Sequence, residues 1–173
     1  MKMLIVVASR HGATRDIADA LADELRQKGH AVDVAGPTEA PALVNYDGVI
    51  VGSAVYIGKW LKEARQYVEH NQQELTRLPV WLFSSGPSGQ VSPRPTDDPQ
   101  DIAQLMKLVG ARGHRTLLGK LDPAQLGVFE RFIIWNVKRF VPDGARYGDF
   151  RDWSAIRAWA DDIAAALPVP AIA

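Results

Sequence analysis

Apolar runs alternate with amphipathic stretches along this chain, and no repeat or low-complexity tract interrupts them. Leu4 to Ala8 is short, continuous and rich in Ile and Val, the pattern of a strand buried on both faces. Thr14 to Lys28 then follows a helical period, with Ile17, Leu21 and Leu25 recurring every fourth residue and Ala18 and Ala22 beside them. Gly29 closes this helix, because a left-handed turn there is cheap only without a Cβ. Ala31 to Val34 alternates as a second strand, and Gly36 to Ala42, with its two prolines, is a loop. Asp47 to Ser53 predicts a third strand, Lys59 to His70 a helix with Leu61, Ala64 and Val68 on one face, and Val80 to Phe83 a fourth strand. Pro87 to Pro99 carries four prolines and two aspartates and reads as a loop. A helix follows over Asp101 to Val109, ending near Gly110, and Thr116 to Leu121 is the fifth strand. Asp152 caps a last helix carrying Ile156, Trp159, Ile163 and Leu167, which Pro168 stops.

Five strands with helices between them predict an α/β fold, a doubly wound parallel sheet covered on both faces. The length, 173 residues, fits one domain over 1–173 and buries roughly 70% of the unfolded surface. Twenty basic residues balance twenty acidic ones, so global charge offers no pull toward nucleic acid. The chain has no cysteine, which excludes disulfides, thiolate catalysis and Cys-held metal. The four histidines, His11, His30, His70 and His114, show no HxxxH or HExxH spacing, so no metal site is expected. No GxSxG elbow is present, which disfavours a hydrolase. The apolar run at the N-terminus ends at Ser9, too short for a signal core, and no stretch approaches the ~20 apolar residues of a membrane span. The expected compartment is the cytoplasm.

Ligands of such sheets bind at the carboxyl ends of the strands. The first loop there is Ser9-Arg10-His11-Gly12-Ala13-Thr14, where two hydroxyls bracket a glycine at a helix N-terminus. Unpaired N–H groups and the helix dipole favour an anion at that point, or the segment is an ordinary turn with Thr14 as a cap. It lacks the Gly-Lys-Ser/Thr ending of a triphosphate loop and the three-glycine dinucleotide fingerprint. Hydroxyls and backbone with little positive charge suit the monophosphate of a flavin mononucleotide (FMN). The second loop is Ser53-Ala54-Val55-Tyr56-Ile57-Gly58, whose small residues and one tyrosine can wrap an aromatic ring system. The third is Ser84-Ser85-Gly86-Pro87-Ser88-Gly89, whose small side chains leave amides free to meet the edge of a flat ligand.

With these loops in view, the chain resembles the flavodoxin-like family, whose phosphate loop runs Ser/Thr-x-x-Gly-x-Ser/Thr and stands here as SRHGAT. YDGVIVGSAVYIGKWLKEARQYVE, and FERFIIWNVKRF before DFRDW, resemble the menaquinone-dependent protoporphyrinogen oxidase branch. The resemblance implies a five-stranded sheet in the order 2-1-3-4-5, with an insert after the fifth strand, and an FMN-dependent oxidoreductase of heme biosynthesis. It implies a small-molecule redox substrate, a porphyrinogen or quinone, with the three loops binding cofactor and no side chain required as a catalytic base. The alternatives are a one-electron carrier for protein partners and a deazaflavin-binding oxidoreductase. His11 stands where electron carriers commonly have threonine. The third loop lacks an aromatic to cover the flavin's outer face, and the zero net charge differs from the strongly acidic carriers.

The insert, 122–150, is the remaining puzzle. On a helical wheel Val128, Phe129, Phe132, Ile133, Ile134, Trp135, Val137, Phe140 and Val141 cover most of the circumference. A helix so apolar is buried against the sheet or in a homodimer, or else 128–141 is a platform for an apolar substrate or a quinone-bearing membrane. On the second reading Arg131, Lys138, Arg139 and Arg146 offer cations to porphyrin carboxylates or anionic lipid.

Overall fold

A computed structural model of the protein describes residues 1–56, 58–86, 98–122 and 148–167. The apolar run at the start forms β1 (Lys2–Ala8), with Met3 to Ala8 all buried. α1 (Ala13–Gln27) buries Ile17, Leu21 and Leu25 on its sheet side. It closes as expected: Gly29 has φ 88, its N–H donates to Arg26 O, and the His30 N–H donates to Leu25 O. That pair of bonds is a Schellman cap. β2 (Ala31–Ala35), a short 3₁₀ turn (Leu43–Asn45), β3 (Gly48–Tyr56), β4 (Lys59–Trp60), α2 (Lys62–His70), α3 (Gln72–Leu75) and β5 (Val80–Ser85) follow. The chain continues as α4 (Ile102–Val109), β6 (Gly113–Leu117), β7 (Lys120–Leu121), β8 (Gly148–Asp149) and α5 (Trp153–Ala166). Asp152 caps α5, accepting from the N–H groups of Ser154 and Ala155 at 3.0 Å each. These bonds, with that from the Ser154 hydroxyl foremost, hold its carboxyl below the usual carboxylate range.

The parallel strands lie in the order β2-β1-β3-β5-β6, the expected 2-1-3-4-5 once the two-residue β4 is left out of the count. Alternate residues point to opposite faces of the sheet. Met3, Ile5, Ile50 and Phe83 therefore pack with α1 and α5, while Leu4, Val6, Val49, Val51 and Leu82 pack with α2 and α4.

Four boundaries differ from the sequence pattern. β3 runs on to Tyr56 because Val55 and Tyr56 gain an antiparallel partner in Trp60 and Lys59, reached through Gly58 at φ 70. The helix expected from Lys59 consequently begins at Lys62. Ser84 and Ser85, expected in a loop, end β5, since they pair with Thr116 and Leu117. The fifth strand starts at Gly113 and stops at Leu117, and Lys120–Leu121 turns away to pair antiparallel with Gly148–Asp149. That last pairing joins the two ends of the 122–150 insert. Residues 128–141, and with them the helix read there, lie outside the described residues.

Candidate functional site

Sheet register sets the level of the site. Ala8 lies opposite Ser53, Ser53 opposite Ser84, and Ser84 opposite Thr116. The chain therefore leaves β1, β3 and β5 side by side at one carboxyl edge, where a ligand can touch all three exits.

Ser9 to Thr14 joins β1 to α1. Gly12 sits at the start of the helix with φ 81 and ψ −26, a left-handed conformation that strains any residue with a Cβ. A Cβ built there would meet nothing within 4 Å, and Gly12, as the N-cap residue, has no side chain with which to cap the helix. The first-turn N–H groups have no intrahelical partner, and the dipole adds positive potential beside them. Ala13 and Thr14 begin the helix, Thr14 nearly fully buried, while Ser9 and His11 are half-buried and Arg10 is exposed. A cavity of about 390 Å³ opens here, lined by Ser9, Arg10, Gly12 and Arg15 and also by Glu39 and Glu63. Uncapped donors beside open space fit the phosphate of a flavin mononucleotide.

The second segment is tied to the first. The Arg10 guanidinium lies 4.6 Å from the centre of the Tyr56 ring, a contact worth about 0.5–1 kcal/mol at an exposed site. One face of Tyr56 is thus taken by the guanidinium. Ala54 and Val55 are half-buried, and the Gly58 carbonyl accepts from the Gln100 N–H at 2.9 Å. The third segment closes on the second: Gly86 has φ 150, and a Cβ there would lie 3.3 Å from Val55 Cβ. Ser85 is buried, with Gly119 packed so tightly that its own Cβ would come within 3.3 Å of Ser85 Oγ. Ile57, Pro87, Ser88 and Gly89 lie outside the described residues.

Two of the expected ligand hydroxyls are turned inward instead. Ser53 Oγ donates to Ala54 O at 2.8 Å and accepts from the Leu61 N–H at 3.0 Å. Ser84 Oγ accepts from Trp60 Nε1 at 2.7 Å and is bonded to His114 Nε2 at 2.8 Å. Both serines are fully buried, so what they hold is the frame around the site.

Sequence reasoning missed Arg151. Its side chain is 7% exposed, forks onto Asp149 (2.7 Å from Nε), and reaches Asp16 of α1 at 2.7 Å. The guanidinium also stacks on Trp153, 4.5 Å from the ring centre. The only sequence signal was its place in DFRDW. Asp149 and Asp16 raise the guanidinium further above its ordinary value, and the Arg151 hydrogen bonds hold the Asp149 carboxyl below its own.

The chain is similar to several known proteins. The protoporphyrinogen IX dehydrogenase [quinone] of Escherichia coli K12 is 35% identical over 86 residues, 49% of this chain and 48% of that protein. The chain thus spans about half the length of the Escherichia coli relatives it matches. A protein of the same name from Leishmania major is 24% identical, covering 97% of this chain and 76% of its own. An archaeal flavodoxin superimposes with a TM-score of 0.62 at 19% identity, over 96% of this chain and 99% of that one. The Streptococcus pneumoniae TIGR4 flavodoxin gives 0.61 at 21% identity, with the same coverage. The Flavodoxin domain family itself matches residues 4–144. That match takes in all five parallel strands rather than one loop, and this chain belongs to the flavodoxin domain family.

Proposed function

We propose that the chain is an FMN-dependent oxidoreductase that dehydrogenates a porphyrinogen and delivers the electrons to a quinone. The observation that carries the reading is the start of α1, where left-handed Gly12 stands at the N-cap position and faces open space. There the backbone N–H groups from His11 to Ala13 and the Ser9 and Thr14 hydroxyls would hold the phosphate. Tyr56 on one side and Gly86 on the other would border the ring. The bound flavin supplies the two-electron redox chemistry, and this chain's residues supply position and electrostatics. Porphyrinogen and quinone are drawn from the names of the Escherichia coli and Leishmania relatives. A formal net charge of zero supports a small-molecule substrate over a carrier steered to basic partners. No described helix is long and apolar enough to cross a membrane, and the apolar sequence of 128–141 is the proposed point of quinone contact.

Anaerobic mixing of FMN-loaded protein with protoporphyrinogen IX tests the reading. Bleaching of the flavin absorbance, reversed by a quinone, is expected. Silence toward the porphyrinogen, with fast reduction by a flavodoxin reductase, would replace it with a one-electron carrier. An absorption maximum and binding preference for deazaflavin over FMN would replace the cofactor.

The phosphate site has its own test. Gly12→Ala forces a Cβ into a left-handed conformation, at a cost of about 1–2 kcal/mol, so the loop relaxes and its N–H groups lose their common aim. FMN affinity should fall about tenfold in a fluorescence titration. Riboflavin, which has no phosphate, should bind both proteins equally. Equal loss for the two flavins would place the phosphate elsewhere.

A further inference from the structure

A chain of polar side chains runs beneath the proposed flavin site, on the sheet face covered by α2 and α4. Trp60 Nε1 donates to Ser84 Oγ at 2.7 Å, and Ser84 Oγ lies 2.8 Å from His114 Nε2. His114 Nδ1 lies 3.3 Å from Asp98 Oδ1, which also accepts from the Thr116 hydroxyl at 3.0 Å. Asp98 can only accept and lies beside Nδ1, so the neutral tautomer that suits both neighbours carries its proton on Nδ1 and accepts at Nε2 from the Ser84 O–H. The order serine, histidine, aspartate matches that of a nucleophile and its base. Here, however, Ser84 is 0% exposed and already holds the Trp60 indole, so the chain is a strut and not an attacking group.

The strut's ends are what matter. Trp60 anchors the β3–β4 hairpin that presents Tyr56, and Ser84 stands two residues before Gly86. Asp98 begins a segment tied to the hairpin twice more, by the Gln100 N–H on Gly58 O and by Asp101, which accepts from the Trp60 N–H at 3.3 Å. His114 thus joins the second and third segments of the site from below.

We propose that His114 is a positioning residue for the flavin ring pocket and that its protonation loosens that pocket. The proposal rests on the flavin reading above. When Nε2 gains a proton it becomes a donor, so Ser84 Oγ faces two donors, Trp60 Nε1 and His114 Nε2. The serine's own hydrogen must then leave the chain, and among the described residues this hydroxyl has no third partner. Ser84 Oγ can accept from both on its two lone pairs, so the cost is a buried hydroxyl hydrogen left unpaired at the junction that anchors Trp60. Asp98 is the carboxylate that faces the ring, with the Thr116 hydroxyl beside it on β6. Asp101, 3.6 Å from the Arg65 guanidinium, lies beyond Trp60, and Arg112 and Arg115 are neighbours on the histidine's own strand. Burial lowers the His114 pKa from the ordinary 6.5, and Asp98 opposes that shift. The folded protein therefore resists protonation more than the unfolded chain does, and stability is full above pH 6.5 and falls below it.

The test uses riboflavin as probe, because it removes the titrating phosphate and any contact with His11. Riboflavin affinity of the wild type should fall between pH 7.5 and 5.5, by less than tenfold because burial holds the His114 pKa below 6.5, and that of His114→Gln should stay flat. In the flavin-free protein, the Trp60 indole N–H resonance, assigned with Trp60→Phe, should move with pH in the wild type and not in His114→Gln. The acid loss of melting temperature should shrink in the variant to the part carried by His30, whose pKa burial also lowers. If the variant keeps the wild-type slope in binding and the Trp60 resonance ignores pH, the proposal is overturned. If no flavin binds at any pH while the resonance titrates, the strut stands and the flavin reading fails.

Discussion

Gly52→Ala should destabilise the protein by about 3 kcal/mol and lower its melting temperature by about 6–12 °C. Gly52 lies in β3 opposite Phe83 of β5, and a Cβ built on it would come within 2.1 Å of the Phe83 ring. Phe83 is fully buried, with its ring set edge-on to Trp159 of α5 at 6.2 Å. One methyl therefore cannot be admitted without displacing the ring and, through it, α5. The contact predicts a sign reversal: Phe83→Leu destabilises the wild type but should raise the stability of Gly52→Ala. A coupling of about 0.5–3 kcal/mol in that double-mutant cycle, from denaturant titrations, is the expected size. A single variant that melts with the wild type would show that the sheet yields there at no cost.

What could be read in the sequence was whatever local chemistry decides. β1 is legible because six apolar residues in a row have no amphipathic alternative, α1 because its period and its Gly29 cap agree, and α5 because Asp152 signals its own start. The proposed phosphate loop stands between two such elements, so its place on the edge follows from theirs. What could not be read depends on partners distant in the chain. β4, β7 and β8 have two residues each and exist only because a strand lies alongside. Ser53 and Ser84 looked like ligand-facing residues because nothing local shows that Leu61, Trp60 and His114 would claim their hydroxyls. Trp60 and His114 reach Ser84 across 24 and 30 residues, a proximity made by sheet register alone.

Arg151→Ala should cost about 2–3 kcal/mol, or about 5–10 °C in melting temperature, by removing charge-assisted hydrogen bonds to two carboxylates. Loss of one partner from a fully buried ion pair costs more, about 3–5 kcal/mol. Asp149 and Asp16 keep 40% and 58% of their side-chain surface, however, so water can take over part of the arginine's role. Arg151→Lys should recover less than half of the loss, because an ammonium cannot fork onto Asp149 while reaching Asp16. The effect has a pH signature. With its pKa lowered in the folded state, Asp149 adds stability above the unfolded value near 3.8, and this is lost as pH falls through the folded value. The gap between wild type and Arg151→Ala should therefore narrow between pH 7 and about pH 2.5 in denaturant titrations. Arg151 also touches the first turn of α1, at Asp16 and at Ala13 O, 3.5 Å away. It leaves the insert's return strand and grips α1, so on the proposed phosphate site the variant should weaken FMN more than riboflavin. Unchanged melting at pH 7 would mean that the carboxylates lose nothing to water, and an equal effect on both flavins would detach the arginine from the phosphate loop.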